Sequence, residues 1–169
     1  FSHMEIVFIN QKIAKEQGLY SFIDFFLRDG EIRDTMHMAI SQEEPADALF
    51  QGEPADSPIL SIQMSRSIHE DNKVTGSTYD NNMINIYNTL ASPGIDLVLP
   101  VIHLTDNQDK KVAEINGIAL FDKDKLKGFI GPEETKYYLL IMDELEGGII
   151  NLPDAKAPAG NVDLEIVLC

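Results

Sequence analysis

The stretch 115–144, INGIALFDKDKLKGFIGPEETKYYLLIMDE, constrains the fold more than any other part of the chain. It reads as strand, tight reversal, strand and helix. Residues 115–121 form an apolar run suited to a strand. Asp122, Lys123, Asp124 and Lys125 are all charged and cannot enter a core unpaired, so the chain turns there and residues 126–130 return alongside. Gly131 and Pro132 break the strand, and a proline suits the first helical position because its missing N–H has no intrahelical partner there. Glu133 and Glu134 follow where the helix dipole favours negative charge. Tyr137, Tyr138, Ile141, Met142 and Leu145 then recur at helical spacing and predict the buried face.

The remainder alternates helices with extended segments. Residues 5–10 predict a strand, and residues 11–17 a short helix ended by Gly18. Residues 19–28 predict a helix, capped by Ser21 or entered from Gly18, with the stripe Leu19, Phe22, Ile23, Phe26 and Leu27. Phe25 lies off that stripe and predicts burial on a second side. Residues 35–40 read as a strand, 43–50 as a short helix and 52–58 as a loop. Ser57 and Pro58 then open a helix with the stripe Ile59, Ile62, Met64 and Ile68. Residues 71–77 read as a mobile polar loop. Ser77 or Thr78 is the expected cap of a helix faced by Tyr79, Met83, Ile86, Tyr87 and Leu90, which residues 92–94 end. Pro100 inside the apolar run 95–104 implies an edge strand, a bulge or two short strands. Residues 147–152 read as a strand, 153–160 as a loop and 161–168 as a half-buried strand. The order implies one α+β domain over 1–169, with a mixed β-sheet and helices packed against it.

The charge balance narrows the function. With 13 Lys and Arg against 28 Asp and Glu, the net charge is −15, which repels phosphate backbones and argues against a nucleic-acid partner. The single cysteine, Cys169, excludes an internal disulfide. No apolar run reaches the roughly 20 residues that span a bilayer. His3, His37, His69 and His103 form no metal-ligand pattern, although His37 and His103 both fall in extended segments and could meet. Serine has no nucleophile elbow, and no phosphate-binding glycine loop occurs. Tyr79, Tyr87, Tyr137 and Tyr138 could line a small-molecule pocket, but core packing at helical spacing also accounts for them. No catalytic residue, metal site or cofactor is expected. Arg28, Asp29, Glu31 and Arg33 place four charges in six residues, either clamping a helix exit or offering a docking surface.

Three blocks carry a family resemblance: SHMEIVFINQKIAKEQGL (2–19), IDFFLRDGEIR (23–33) and NGIALFDKDKLKGFIGPEETKYYLLI (116–141). Their order and spread resemble the C-subunit lipoproteins of spore germinant receptors, with Gly30 where the family pattern has proline. The resemblance implies the α/β-type first domain of a multi-domain lipoprotein, with no enzymatic activity. It implies a role in germination as an assembly or interaction module, or alternatively a domain that binds the nutrient. It further implies integral-membrane A- and B-type partner subunits and a place on the outer face of the spore inner membrane. The lipid anchor belongs to the full-length protein, so this stretch is expected to be soluble. Arg28, Asp29, Glu31 and Arg33 transfer as a matched signature without an assigned role.

Overall fold

The computed structural model describes residues 4–28, 35–52, 59–108, 110–157 and 160–167. Two sheets form. The larger has the strand order β1 (Ile6–Asn10), β2 (His37–Ser41), β3 (Val98–Asn107), β4 (Lys110–Asp122), β5 (Lys125–Ile130). β1, β2 and β3 pair in parallel, and β3, β4 and β5 antiparallel, so the expected mixed sheet is present. β6 (Gly147–Ala157) and β7 (Gly160–Val167) make a separate antiparallel ribbon.

Alternation along the strands divides the core into two. Ile9, Met38, Ile40, Leu99, Val101, Ala119 and Phe121 pack with α1 (Gln11–Glu16), α2 (Tyr20–Arg28) and α4 (Met83–Ala91). Ile6, Ala39, Ile102 and Ala113 pack with Leu49, from the 3-10 helix Ala46–Gln51, and with Met64 and Ile68 of α3 (Leu60–Val74). The sheet is therefore covered on both faces, as parallel strands with near-continuous apolar sequence require. α5 (Pro132–Ile141) follows β5 with proline and two glutamates in its first turn, as read from the sequence.

Several expectations needed correction. Pro100 lies in an interior strand, between β2 and β4, with a register irregularity beside it; the bulge reading holds and the edge reading fails. α3 runs four residues beyond the expected loop start at Asp71. Its buried side chains are Gln63, Met64, Ile68 and Asn72, while Ile59 and Ile62 are exposed. The stripe was misread because Asn72 can be buried once its Oδ1 accepts the Asp80 N–H, at 3.3 Å. Residues 75–77 are tied down by Gly76 N–H to the Asp71 carbonyl, 2.9 Å, and by Thr75 Oγ1 to Ser77 Oγ, 2.7 Å. α4 begins at Met83, capped by Asn82, whose Oδ1 accepts from Asn85 N at 3.0 Å; neither Ser77 nor Thr78 serves.

α5 buries Thr135 and Leu139, and leaves Ile141 83% exposed. The Thr135 hydroxyl donates to the Gly131 carbonyl at 2.7 Å, so a face that looks polar in sequence can meet the core. β6 continues through 153–157, where a loop was expected. β7 pairs with β6 and is not half-buried: Leu164 and Val167 are exposed. α3 begins at Leu60 after an extended Ile59, not at Pro58 as expected; Ser57 and Pro58 themselves, and Leu168, lie outside the described residues.

Candidate interaction surface and polar cluster

The start of α2 is positioned by a sequence-distant residue. Gly18 enters it at φ +84°, and a Cβ there would strike the Asp124 side chain. Across this close approach Leu19 N–H donates to the Asp124 carbonyl at 3.0 Å and Tyr20 N–H to Asp124 Oδ2 at 3.3 Å. Asp124 thus caps α2 from the β4–β5 turn, a tertiary substitute for the expected local cap. Lys125 Nζ donates to the Glu16 carbonyl at 2.7 Å, pinning the end of α1 to the same turn.

The far end of α2 carries Arg28, exposed and paired with Asp24 one turn back at 3.0 Å. Exposed pairs of this kind contribute about 0–1 kcal/mol. Asp29, Glu31 and Arg33 lie outside the described residues. Between its ends α2 buries only Ile23 fully, against the expectation of burial on two sides. Tyr20 (65% exposed) and Leu27 face outward beside the exposed Tyr87 of α4, whereas Phe25 (58%) is exposed on another side of α2, against Phe26. A groove of about 220 Å³ runs between the two helices, lined by Tyr20, Asp24, Leu27, Tyr87 and Leu90 among others. It shares Tyr20, Leu90 and Ala91 with a cleft of about 680 Å³ whose far wall carries Asp96, Asp122 and Asp124. The surface is apolar at its centre and acidic at its rim.

The second arrangement has no signature in the sequence. His69 Nδ1 lies 2.8 Å from Asp80 Oδ2, and His37 Nδ1 lies 3.1 Å from Asp80 Oδ1. The His37 contact is off the line a good hydrogen bond needs. His37 meets these residues and not His103, whose Nε2 lies 3.0 Å from Thr105 Oγ1. The segment 77–82 holds Asp80 in place by three anchors. Buried Thr78 donates to the Gly117 carbonyl at 3.3 Å, Asn81 Nδ2 donates to the Val98 carbonyl at 2.9 Å, and Asn82 bridges to His37.

Burial is the largest influence on the Asp80 carboxyl and pushes its pKa up. The two imidazoles outweigh it and hold the group below the ordinary carboxylate value of 3.8. A carboxyl depressed by folding adds stability above its unfolded pKa and loses it as pH falls through the folded value. Asp80→Asn is therefore expected to cost about 1–2 kcal/mol at neutral pH. In urea melts the gap to the unmodified chain should close below about pH 4. A gap that persists unchanged at low pH would show that the ion pair is not its source. Asp71 works in the opposite sense, its pKa raised by burial and then by Glu70.

The four tyrosines do not converge. Tyr87 lines the α2–α4 groove and Tyr137 is exposed. Tyr79 and Tyr138 lie close enough to influence each other, both with pKa raised chiefly by burial. Among the described residues no group of three ligating side chains is placed to hold a metal ion, and no helix is long and apolar enough to cross a membrane.

Comparison with known proteins matches this geometry to one family. Residues 1–104 match the family described as spore germination protein N-terminal domain, and residues 116–168 match the one described as spore germination B3/GerAC like, C-terminal. Spore germination protein KC of Bacillus subtilis is 24% identical over 165 residues, covering 89% of this chain and 40% of that protein. Spore germination protein GerQC of Bacillus cereus is 25% identical over 145 residues, covering 86% and 38%. Spore germination protein B3 of Bacillus subtilis is 18% identical, covering 92% and 41%. The chain thus spans about two-fifths of the length of these relatives. The crystal structure of the GerBC protein shares the fold, with a TM-score of 0.57 at 16% identity, over 98% of this chain and 45% of that one. The sequence blocks, the mixed sheet and the match over residues 1–104 lead to one assignment: the chain belongs to the GerAC-like family of spore germination proteins.

Proposed function

We propose that this chain is a non-enzymatic assembly module of a spore germinant receptor, docking onto integral-membrane A- and B-type subunits at the outer face of the spore inner membrane. In the full-length protein a lipid anchor would hold it there. The observation that carries this reading is the side of α2 turned toward α4, where Tyr20 and Leu27 stand exposed beside Tyr87. An apolar centre with aromatic anchors and a charged rim is the anatomy of a protein interface. Of the rim residues, Asp24 pairs with Arg28, Asp122 with Lys127, and Asp124 accepts from Tyr20 N–H, with Lys123 beside them. Asp96, in the same cleft, would meet a lysine or arginine of a partner segment whose apolar side chain enters the groove. The signature residues Asp29, Glu31 and Arg33 follow α2 in sequence and are proposed, with Arg28, as further interaction residues. The alternative, a nutrient pocket built from the four tyrosines, draws no support from their separate placement.

The test is capture of the membrane subunits by the purified chain in mild detergent. Tyr20→Ser with Leu27→Ser is expected to reduce retention at least tenfold, because an aromatic anchor contributes about 2 kcal/mol or more. The melting temperature should change little, since these side chains are already in water. Undiminished retention by a folded double variant would remove this side of α2 from the interface.

A further inference from the structure

On the α3 side of the sheet, a shallow pocket of about 400 Å³ is lined by Glu5, His37, Ile62, Ser65, Arg66 and His69. We infer that this pocket binds a small oxyanion, a carboxylate or a phosphate, and takes up a proton on an imidazole as it does so. This inference is independent of the α2 docking surface.

Asp80 sets the geometry. Both imidazoles turn Nδ1 toward its carboxylate, so ring geometry directs each Nε2 away from Asp80. Both histidines also line the pocket, together with Arg66 and Ser65. Guanidinium, hydroxyl and imidazolium are the donors that oxyanions select, and arginine offers a planar fork matched to carboxylate and phosphate oxygens. Ile62 gives an apolar wall for the ligand's carbon skeleton. A cation is disfavoured by Arg66, and no three-ligand group exists among the described residues.

Charge makes the binding conditional on protons. With both imidazoles neutral, the Asp80 carboxylate and the Arg66 guanidinium cancel, and each Nε2 offers a lone pair. A proton on either ring turns that acceptor into a donor and adds a positive charge. The surroundings oppose anions until then: Glu5, which has its own interaction, lines the pocket, and Glu70 follows His69 along α3. Behind Asp80 stands Tyr79, with Glu144 and Glu146 acting on it from the α5–β6 connection. Anion binding should therefore strengthen as pH falls and a proton becomes available to the pocket.

The experiment follows the imidazole Cε1–H signals of the full 169-residue chain by NMR. Inorganic phosphate and acetate are titrated separately, against sodium chloride at matched ionic strength, at about pH 6 and about pH 8. Saturable shifts of His37 and His69 but not His103, with a dissociation constant about tenfold lower at the acid end, are expected. Arg66→Gln should weaken binding about tenfold, and His69→Gln should weaken it and flatten the pH dependence. Saturation by phosphate alone marks the site as phosphate-selective, by acetate alone as carboxylate-selective, and by both as a general oxyanion site. Linear shifts, an equal response of His103, an equal effect of chloride, or an unchanged Arg66→Gln variant would each overturn the inference.

Discussion

A chain cut after Leu104 is expected not to fold. The cut falls where the first family match ends, and it removes β4, β5 and α5 together. β3 would lose its antiparallel neighbour along nearly its whole length. The core packed with α1, α2 and α4 would lose Ala119, Phe121 and Leu126, and α2 would lose Asp124. Burying Phe121 and Leu126 alone accounts for about 3–6 kcal/mol. A domain has in total about 5–15 kcal/mol. Loss of the β3–β4 ladder falls on top of this, so residues 1–104 should show no cooperative thermal transition by circular dichroism, whereas the full chain melts in one step. A sharp melt of the shorter piece would show that the two matched regions fold separately and would overturn the single-domain proposal for 1–169.

The second large effect is expected from Gly117→Ala. The register pairs Ile102 with Ile115 but Pro100 with Ile118, so two β4 residues, Asn116 and Gly117, stand opposite Val101. The extra residue is a bulge, and it has a visible result. Ala113 and Ile115 pack with α3, whereas Ala119 and Phe121, equally odd-numbered, pack on the α2 side. Gly117 makes the exchange at φ +74°, where a side chain costs about 1–2 kcal/mol. A Cβ at this position would sit on the Ile130 carbonyl oxygen and crowd the backbone of Gly131. Backbone cannot step aside as a flexible side chain can, and the Thr78 bond to the Gly117 carbonyl would move with it. A loss of about 3–5 kcal/mol is expected, measured as a fall in the urea midpoint with unchanged slope. Gly128→Ala is the matched control: a Cβ there meets nothing within 4 Å.

The sequence disclosed the elements better than their faces. β1, α1, α2 and the β4–β5–α5 unit lie where periodicity and breakers put them. The buried sides of α3 and α5 were misread for one reason: counting apolar side chains overlooks polar ones whose partners arrive from the fold. Thr135 and Asn72 are buried because Gly131 and Asp80 satisfy them. The same blindness hid the polar cluster. His37, His69 and Asp80 come from a strand, a helix and a connection, with no spacing to link them. The only hint was the polar run before α4, which was read as a helix cap. Of the four signature charges, Arg28 was correctly placed at the end of a helix; its role stays with the proposed interface.

The hold of Asp124 on Tyr20 spans 104 positions of sequence. On a ribosome adding about 5–20 residues per second, α2 leaves the tunnel several seconds before the turn that caps it exists. During that interval its exposed aromatics belong to an unanchored helix, too short to persist alone in water. The proposed docking face is therefore assembled late, and only on chains synthesised beyond the hairpin. A partner that recognises the folded face would distinguish finished chains from abandoned ones with no separate proofreading step.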